Sequence, residues 1–309
     1  MKNVLITGGS GVIGKELVEL MLNDGNNVMN IDLQKIENHN DLIHDNYNFV
    51  CNDLSEVNPD LIKEFAPTEI YHLAATFERT EESKEHFDNN LKSNILSTHN
   101  LLKAAKNLKS LNKFIFASSY LVYDPELYLN DKPNTKTKFL KENDRKSPRN
   151  LTGYSKYYNE KEIRFIFEQC TDIDFVSARI FRGYGLGSKD FISRTIDSLI
   201  KKEKLKIYNK EGAFDYLYSK DAAEGLKRLA EINFSGEVNL GAGNSRSVES
   251  VLKSLEKVFG IFDYELSLNE EVRYENSASD NSYLLSLLNW EPKYNFDKSI
   301  KEITDYLNS

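Results

Sequence analysis

The chain has 309 residues, 40% of them hydrophobic, enough to bury one large core or a core with an annex. A net charge of −8 speaks against a nucleic-acid or anionic-membrane surface, and the longest apolar runs are too short to cross a bilayer. Two cysteines, Cys51 and Cys170, make no disulfide framework and read as core thiols, while five histidines, all before residue 100, speak against a histidine metal site. The chain opens directly in a strand pattern, which predicts a cytoplasmic protein with no secretory leader.

In chain order, Lys2 to Thr7 reads as a short strand, followed by Gly8-Gly9-Ser10-Gly11-Val12-Ile13-Gly14. Val12, Ile13, Leu17, Leu20 and Met21 then recur at helical spacing, and Asn27 to Ile31 forms a second strand that closes on Asp32, eighteen residues past Gly14. In this strand–turn–helix–strand context the glycines let the backbone approach a pyrophosphate, whose charge meets unpaired N–H groups at the helix N-terminus. Asp32 falls where a carboxylate accepts bonds from an adenosine ribose and repels a 2′-phosphate, so the expected cofactor is NAD rather than NADP.

Asn48 to Cys51 and Glu69 to Leu73 read as third and fourth strands, followed by a long helix over about 84–108, with Leu91, Ile95, Leu101 and Leu102 at helical spacing. Lys113 to Ala117 is a fifth strand ending in Ser118-Ser119. Asp124 to Arg149, with three prolines and poor periodicity, reads as a loop across the active-site side. Helix Gly153 to Gln169 and strand Asp174 to Arg179 come next. The alternation predicts an α/β fold with a doubly wound parallel sheet and its ligands outside the carboxyl ends of the strands.

Past Arg179 the rhythm changes. Gly183, Gly185 and Gly187 mark a turn, Phe191 to Lys201 a helix and Lys206 to Tyr208 a short strand; Lys201, Lys202, Lys204 and Lys206 read as the solvated end of that helix. Phe214 to Tyr218, helix Asp221 to Ile232 and strand Glu237 to Leu240 rejoin the pattern, and Ser247 to Ser309 holds three short helices and a little strand. Residues 1–182 and 214–246 are expected to form the dinucleotide domain, and 183–213 with 247–309 a smaller discontinuous substrate lobe.

The chain resembles the extended short-chain dehydrogenase/reductases, in the NAD-dependent epimerase/dehydratase branch that modifies nucleotide sugars. The resemblance rests on TGGSGVIG (7–14), Asp32, Asn52-Asp53-Leu54, HLAAT (72–76), SNILSTHNLL (93–102), FASSYLVY (116–123), the SK-x-x-x-E stretch Ser155 to Glu160, RIFRGYG (179–185) and WEP (290–292). It implies a Rossmann-type sheet, NAD, a nucleotide-sugar substrate and a homodimer through helices 84–108 and 153–169. Carried over by position, Gly8, Ser10, Gly11, Val12, Ile13 and Gly14 would hold the pyrophosphate and Asp32 the ribose. Asp53 and Leu54 would sit at the adenine, Leu73, Ala74, Ala75, Thr76 and Asn94 along the cofactor, and Lys156 at the nicotinamide ribose. Ser119, beside Ser118, falls at the position whose hydroxyl meets the sugar hydroxyl being oxidised.

The family's Tyr-x-x-x-Lys tyrosine is replaced by Thr152. A phenol titrates near pH ~10 and a neighbouring ammonium brings it down, whereas an aliphatic hydroxyl starts far too high to serve as a base. Tyr120, Tyr154, Glu78 and a desolvated Lys156 are the candidates to replace it, Tyr154 lying on the wrong helical face. The sugar 4,6-dehydratases' Asp-Glu pair is replaced by Tyr120 and Leu121, against that elimination. Arg182 stands where the family often has a substrate-touching asparagine, and Phe214 where an arginine commonly grips the diphosphate; Arg182, with Arg273, is the candidate to supply that grip. Three functions follow: NAD-dependent C4 oxidation or epimerisation of a nucleotide sugar with a non-tyrosine base, a degenerate protein that binds NAD and a nucleotide sugar, or a reductase or dehydrogenase of another small carbonyl or alcohol.

Overall fold

The computed structural model describes residues 1–35, 44–77, 84–169, 173–266 and 273–308. Strand β1 (Asn3–Thr7) runs into the glycine turn and helix α1 (Val12–Asn23), which returns to β2 (Asn27–Asp32). Then follow β3 (Tyr47–Cys51), α2 (Pro59–Phe65) and β4 (Glu69–His72). The short helix α2, capped by Asn58 with Pro59 in its first turn, has too few apolar positions for periodicity to reveal.

The long helix expected over 84–108 ends at Ala105 and is not uniform. It is α3 (Lys84–Asn90), a π-helical turn Leu91–Leu96, and α4 (Ser97–Ala105). Strand β5 (Lys113–Ser119) and helix α5 (Leu151–Phe167) follow, with Asn150 capping α5 through Gly153 N–H at 2.9 Å.

One seven-stranded sheet has the order Gly236–Leu240, Asp174–Ile180, β5, β4, β1, β2, β3. Its β1·β2, β1·β4, β4·β5 and β2·β3 pairings are parallel. This is the Rossmann arrangement, with its reversal of strand order between β1 and β4, the place where such sheets bind ligands.

The chain divides into two compact units. The first comprises 1–123, 145–179 and 223–238, the second 124–144, 180–222 and 239–308. These boundaries differ from those expected: 124–144, read as a loop of the first body, groups with the second, and so do 180–182, 214–222 and 239–246. There Leu129–Asn130 pairs antiparallel with Tyr274–Glu275, and Lys138–Leu140 pairs parallel with Ser277–Ser279. Strands of two and three residues leave no periodicity, which is why the segment reads as loop.

The first unit's core packs Leu5, Ile31, Ile70, Phe114 and Phe116 of the sheet with Leu101, Leu102 and Ile163 of α4 and α5. The second unit's core gathers Tyr184, Ile192, Ile196, Tyr216, Val251 and Ile300. Cys51 departs from expectation: β3 is the sheet's edge strand, and its thiol is exposed, with Sγ 3.4 Å from Leu33 O. Cys170 lies outside the described residues. No helix among the described residues is long and apolar enough to cross a membrane.

Candidate active site

The first unit gathers its chemistry at the carboxyl ends of β1, β2, β4 and β5. Gly8 turns with φ 73°, and a Cβ there would meet Ala74 N at 2.5 Å. One turn into α1, a Cβ on Gly14 would fall 2.2 Å from Gly8 O. The turn is thus packed against both its own helix and the loop after β4, and side chains are excluded from both places. Gly11 caps α1 with no side chain of its own, and the first turn, which includes Val12 and Ile13, carries no acid. The positive helix end is left for an anion.

Asp32 fixes this turn from the next strand. Its Oδ2 accepts Ser10 N–H at 2.9 Å and its Oδ1 accepts Leu33 N–H at 2.7 Å. Sequence reasoning missed Asn30, fully buried on the same strand. Its Oδ1 accepts Gly9 N–H at 3.0 Å, and its Nδ2 donates to Ser10 Oγ at 3.2 Å and to Tyr47 OH at 3.1 Å. An asparagine inside an apolar strand was the available signal.

Asp53 caps the short 3₁₀ turn Leu54–Glu56 through Ser55 N–H at 2.9 Å and pairs with Lys92 at 2.9 Å, while Leu54 is buried. After β4, Leu73 N–H bonds Thr7 O at 2.9 Å. Ala74 and Ala75 follow on the same loop, and Thr76 is held from both sides by Asn94: its N–H donates to Asn94 Oδ1 at 2.7 Å and its carbonyl accepts Asn94 Nδ2 at 3.1 Å. The π-helical turn is what places Asn94 there. Its backbone carbonyl also accepts Thr98 Oγ1 at 2.6 Å and Asn159 Nδ2 at 2.9 Å.

His72 lies fully buried between Thr7 Oγ1 (2.7 Å) and Thr98 Oγ1 (2.8 Å). Because Thr98 spends its proton on Asn94 O, it accepts from His72, so Nε2 carries the ring proton and Nδ1 accepts from Thr7. Burial, aided by the Lys156 charge, lowers the imidazole to about 3, and it is neutral at physiological pH.

At the end of β5, Ser119 Oγ accepts Leu121 N–H at 3.2 Å, leaving its own proton to donate. Helix α5 brings Lys156 to the same strand end, where Nζ donates to Ala117 O at 2.6 Å and lies 4.6 Å from the Phe116 ring centre. Lys156 is 7% exposed, and burial lowers its amine to about 8 against the raising effect of Glu160. Ser118 Oγ donates to Glu160 Oε1 at 2.6 Å. Glu160 in turn accepts a bidentate grip from Arg179, Nε at 3.0 Å and Nη2 at 2.8 Å. This ion pair was not singled out from sequence, although Glu160 stands four residues after Lys156, on the same helical face.

Thr152 is 2% exposed and its Oγ1 has no hydrogen-bond partner among the described residues. Tyr120 is buried, and Tyr154 points outward. Glu78 lies outside the described residues.

In the second unit, Arg182 lies with its guanidinium carbon 3.7 Å from the Phe214 ring centre, while Nη2 reaches Glu275 at 3.3 Å. Both residues line a cavity of about 340 Å³ together with Arg194, Lys204, Lys206 and Tyr208. The lysine run is solvent-exposed, as expected, with Lys201 paired to Asp197 and Lys204 to Glu265, while Lys204 and Lys206 also line this cavity. Arg273 is not among its lining residues; it bonds Glu126 at 2.8 Å and Leu129 O at 3.2 Å. Nearby, Asp215 is buried while accepting the N–H groups of Ala242, Gly243 and Ser279. Burial raises it to about 7 against those bonds. No cluster of metal-ligating side chains occurs among the described residues.

The sequence model of the NAD dependent epimerase/dehydratase family matches residues 4–241. A putative UDP-glucose 4-epimerase of Methanocaldococcus jannaschii is 26% identical over 323 residues, covering 99% of this chain and 98% of that protein. Among solved structures, the UDP-N-acetylglucosamine 4-epimerase of Methanobrevibacter ruminantium M1, in complex with UDP-N-acetylmuramic acid, superposes with a TM-score of 0.86 at 26% identity, covering 99% and 98% of the two chains. The UDP-glucuronic acid 4-epimerase of Bacillus cereus, in complex with UDP-glucuronic acid and NAD, shares the fold with a TM-score of 0.86 at 23% identity and the same coverage. A family match over residues 4–241, well over half the chain, makes this protein a member of the NAD-dependent epimerase/dehydratase family and an NAD-dependent enzyme.

Proposed function

We propose that the enzyme epimerises a UDP-sugar by oxidising and re-reducing C4, with the Lys156 amine moving the proton that a tyrosine moves in its relatives. The glycine turn with Asp32 would hold NAD, which when bound accepts and returns the hydride. Thr152 cannot replace a phenol, because an aliphatic hydroxyl ionises far above any working pH. Ser119, whose oxygen already accepts Leu121 N–H, keeps a proton with which to orient the sugar oxygen. Lys156, brought to about 8, exchanges a proton near neutrality, where a general base is most effective. That buried amine, anchored on Ala117 O beside Ser118 and Ser119, is the observation that carries this reading.

In the second unit, Arg182 and Arg194 offer forked donors for a diphosphate, and Phe214 and Tyr208 offer faces for a base. The UDP-sugars of the similar epimerases support uracil as that base. A homodimer through 84–105 and 151–167 belongs to the same proposal, supported by the exposure of Phe87, Leu91, Leu96, Tyr158 and Phe165 on these helices.

The test is a panel of UDP-sugars deuterated at C4, incubated with NAD. Conversion to the C4 epimer with the label retained and a primary isotope effect is expected. Loss of the label to solvent, or no turnover of any sugar that binds, would overturn the reading. NADH accumulating with a keto-sugar would replace epimerisation by release of the oxidised product.

A further inference from the structure

Three ionisable groups lie together inside the first unit. Lys156 and Glu160 stand one turn apart on α5, and Arg179 comes from strand Asp174–Ile180, next to β5 in the sheet. Glu160 is 0% and Arg179 2% exposed. Removing such charges from water is costly, and apolar side chains of similar volume would pack the helix on the sheet at least as well. A stability role therefore does not account for them.

The geometry ties them to the reacting corner instead. Successive residues of β5 are gripped by the two α5 side chains, Ala117 O by Lys156 at 2.6 Å and Ser118 Oγ by Glu160 at 2.6 Å. Arg179 takes both oxygens of Glu160 and extends Nη1 to Tyr123 OH at 3.1 Å, beyond the 3₁₀ turn that follows Ser119. We propose that Glu160, clamped by Arg179, is a positioning residue: it locks the Lys156 turn of α5 onto the Ala117–Ser119 strand end and supplies the negative charge that governs how readily the Lys156 amine holds its proton. The amine is faced by Glu160 on its own helix, by Arg179 through that carboxylate, by neutral His72 of β4, and by the Phe116 ring and Ala117 carbonyl of β5. The inference rests on the proposed role of Lys156 for its catalytic meaning, but its physical content is independent of that role.

The experiment follows the Lys156 Cε resonance through pH in ¹³C-lysine-labelled, NAD-loaded protein, with Lys156→Arg identifying the signal. Glu160→Gln removes the negative charge, so the titration midpoint is expected to fall by about one pH unit. Glu160→Gln combined with Arg179→Met removes both charges, avoids stranding a buried guanidinium, and should return the midpoint part of the way. A merely structural tie predicts the opposite sign, because a loosened Lys156 gains water and its midpoint rises toward 10.5. A midpoint that rises or stays in place in either folded variant overturns the proposal. The pH–rate profile separates the two ideas: a shifted Lys156 midpoint with an unshifted rate profile leaves the positioning role standing and removes Lys156 as the base.

Discussion

His72 offers a test in which the sign and size of the effect follow from its surroundings. The ring is buried, with Nε2 donating to Thr98 and Nδ1 accepting from Thr7, and it is held near 3. In the unfolded chain it titrates near 6.5. Between those values the unfolded state binds the additional proton, so stability rises with pH across the window and is lost as pH falls from 6.5 toward 3. At pH 4.5 the loss amounts to about two pH units, or ~2.7 kcal/mol relative to neutral pH. Carboxylates also titrate there, so the measurement must be differential. His72→Asn cannot take up a proton and keeps a polar group between the two threonines. Urea unfolding of the apo forms, followed by far-UV circular dichroism, should show the variant less stable at pH 7. Its deficit should shrink by ~2.7 kcal/mol at pH 4.5, because only the parent carries the acid penalty. A deficit that stays constant between the two pH values would refute the buried neutral imidazole and the hydrogen-bond polarity derived for it.

Gly14→Ala places a Cβ against Gly8 O and should cost NAD at least tenfold in affinity by calorimetry, while α1, gaining a better helix former, stays folded by circular dichroism. Arg182→Ala removes a charge-assisted contact worth about 1.5–3 kcal/mol, so UDP should bind roughly 10- to 150-fold more weakly with NAD affinity unchanged; equal UDP binding would exclude the 340 Å³ cavity as the diphosphate site. Lys156→Met should lower turnover by roughly 10²–10⁴ with nucleotide-sugar binding retained, the usual cost of a lost general base. Phe165→Glu, on an exposed face of α5, should shift the protein toward monomer in sedimentation velocity without lowering its melting temperature.

Much of this architecture is legible before any coordinates. Strand, glycine turn, helix and Asp32 announce themselves because each obeys a short-range rule: period two, period 3.6, or a turn that side chains cannot enter. Ser119 and Lys156 are tied to one corner only by the family resemblance; in the structure Lys156 reaches Ala117 O, two residues before Ser119. What eludes the short-range rules is long-range. The helix over 84–105 has the expected apolar spacing, yet nothing in it foretells a π-helical turn or that Asn94 within it reaches Thr76, eighteen residues away. Glu160 is visible in the motif, but its partner Arg179 is on another strand, and only the sheet order brings them together. Asn30 and Tyr47 brace the glycine turn from positions that alternation alone assigns to a plain strand. Cys51 fails in the other direction: an apolar run reads as core, but an edge strand exposes one side of it.

The Arg182–Phe214 stack bears on how such a protein can change. A flat cation resting 3.7 Å above a ring has its plane dictated by that ring. Putting arginine at 214 while Arg182 stays would set two like charges side by side and remove the surface on which the first one lies. Asparagine at 182 with phenylalanine at 214 would leave neither position with a guanidinium. On the proposed role of Arg182, each single step toward the asparagine–arginine pairing of the family's usual pattern would pass through a weaker binder, and the two sites would be exchanged together.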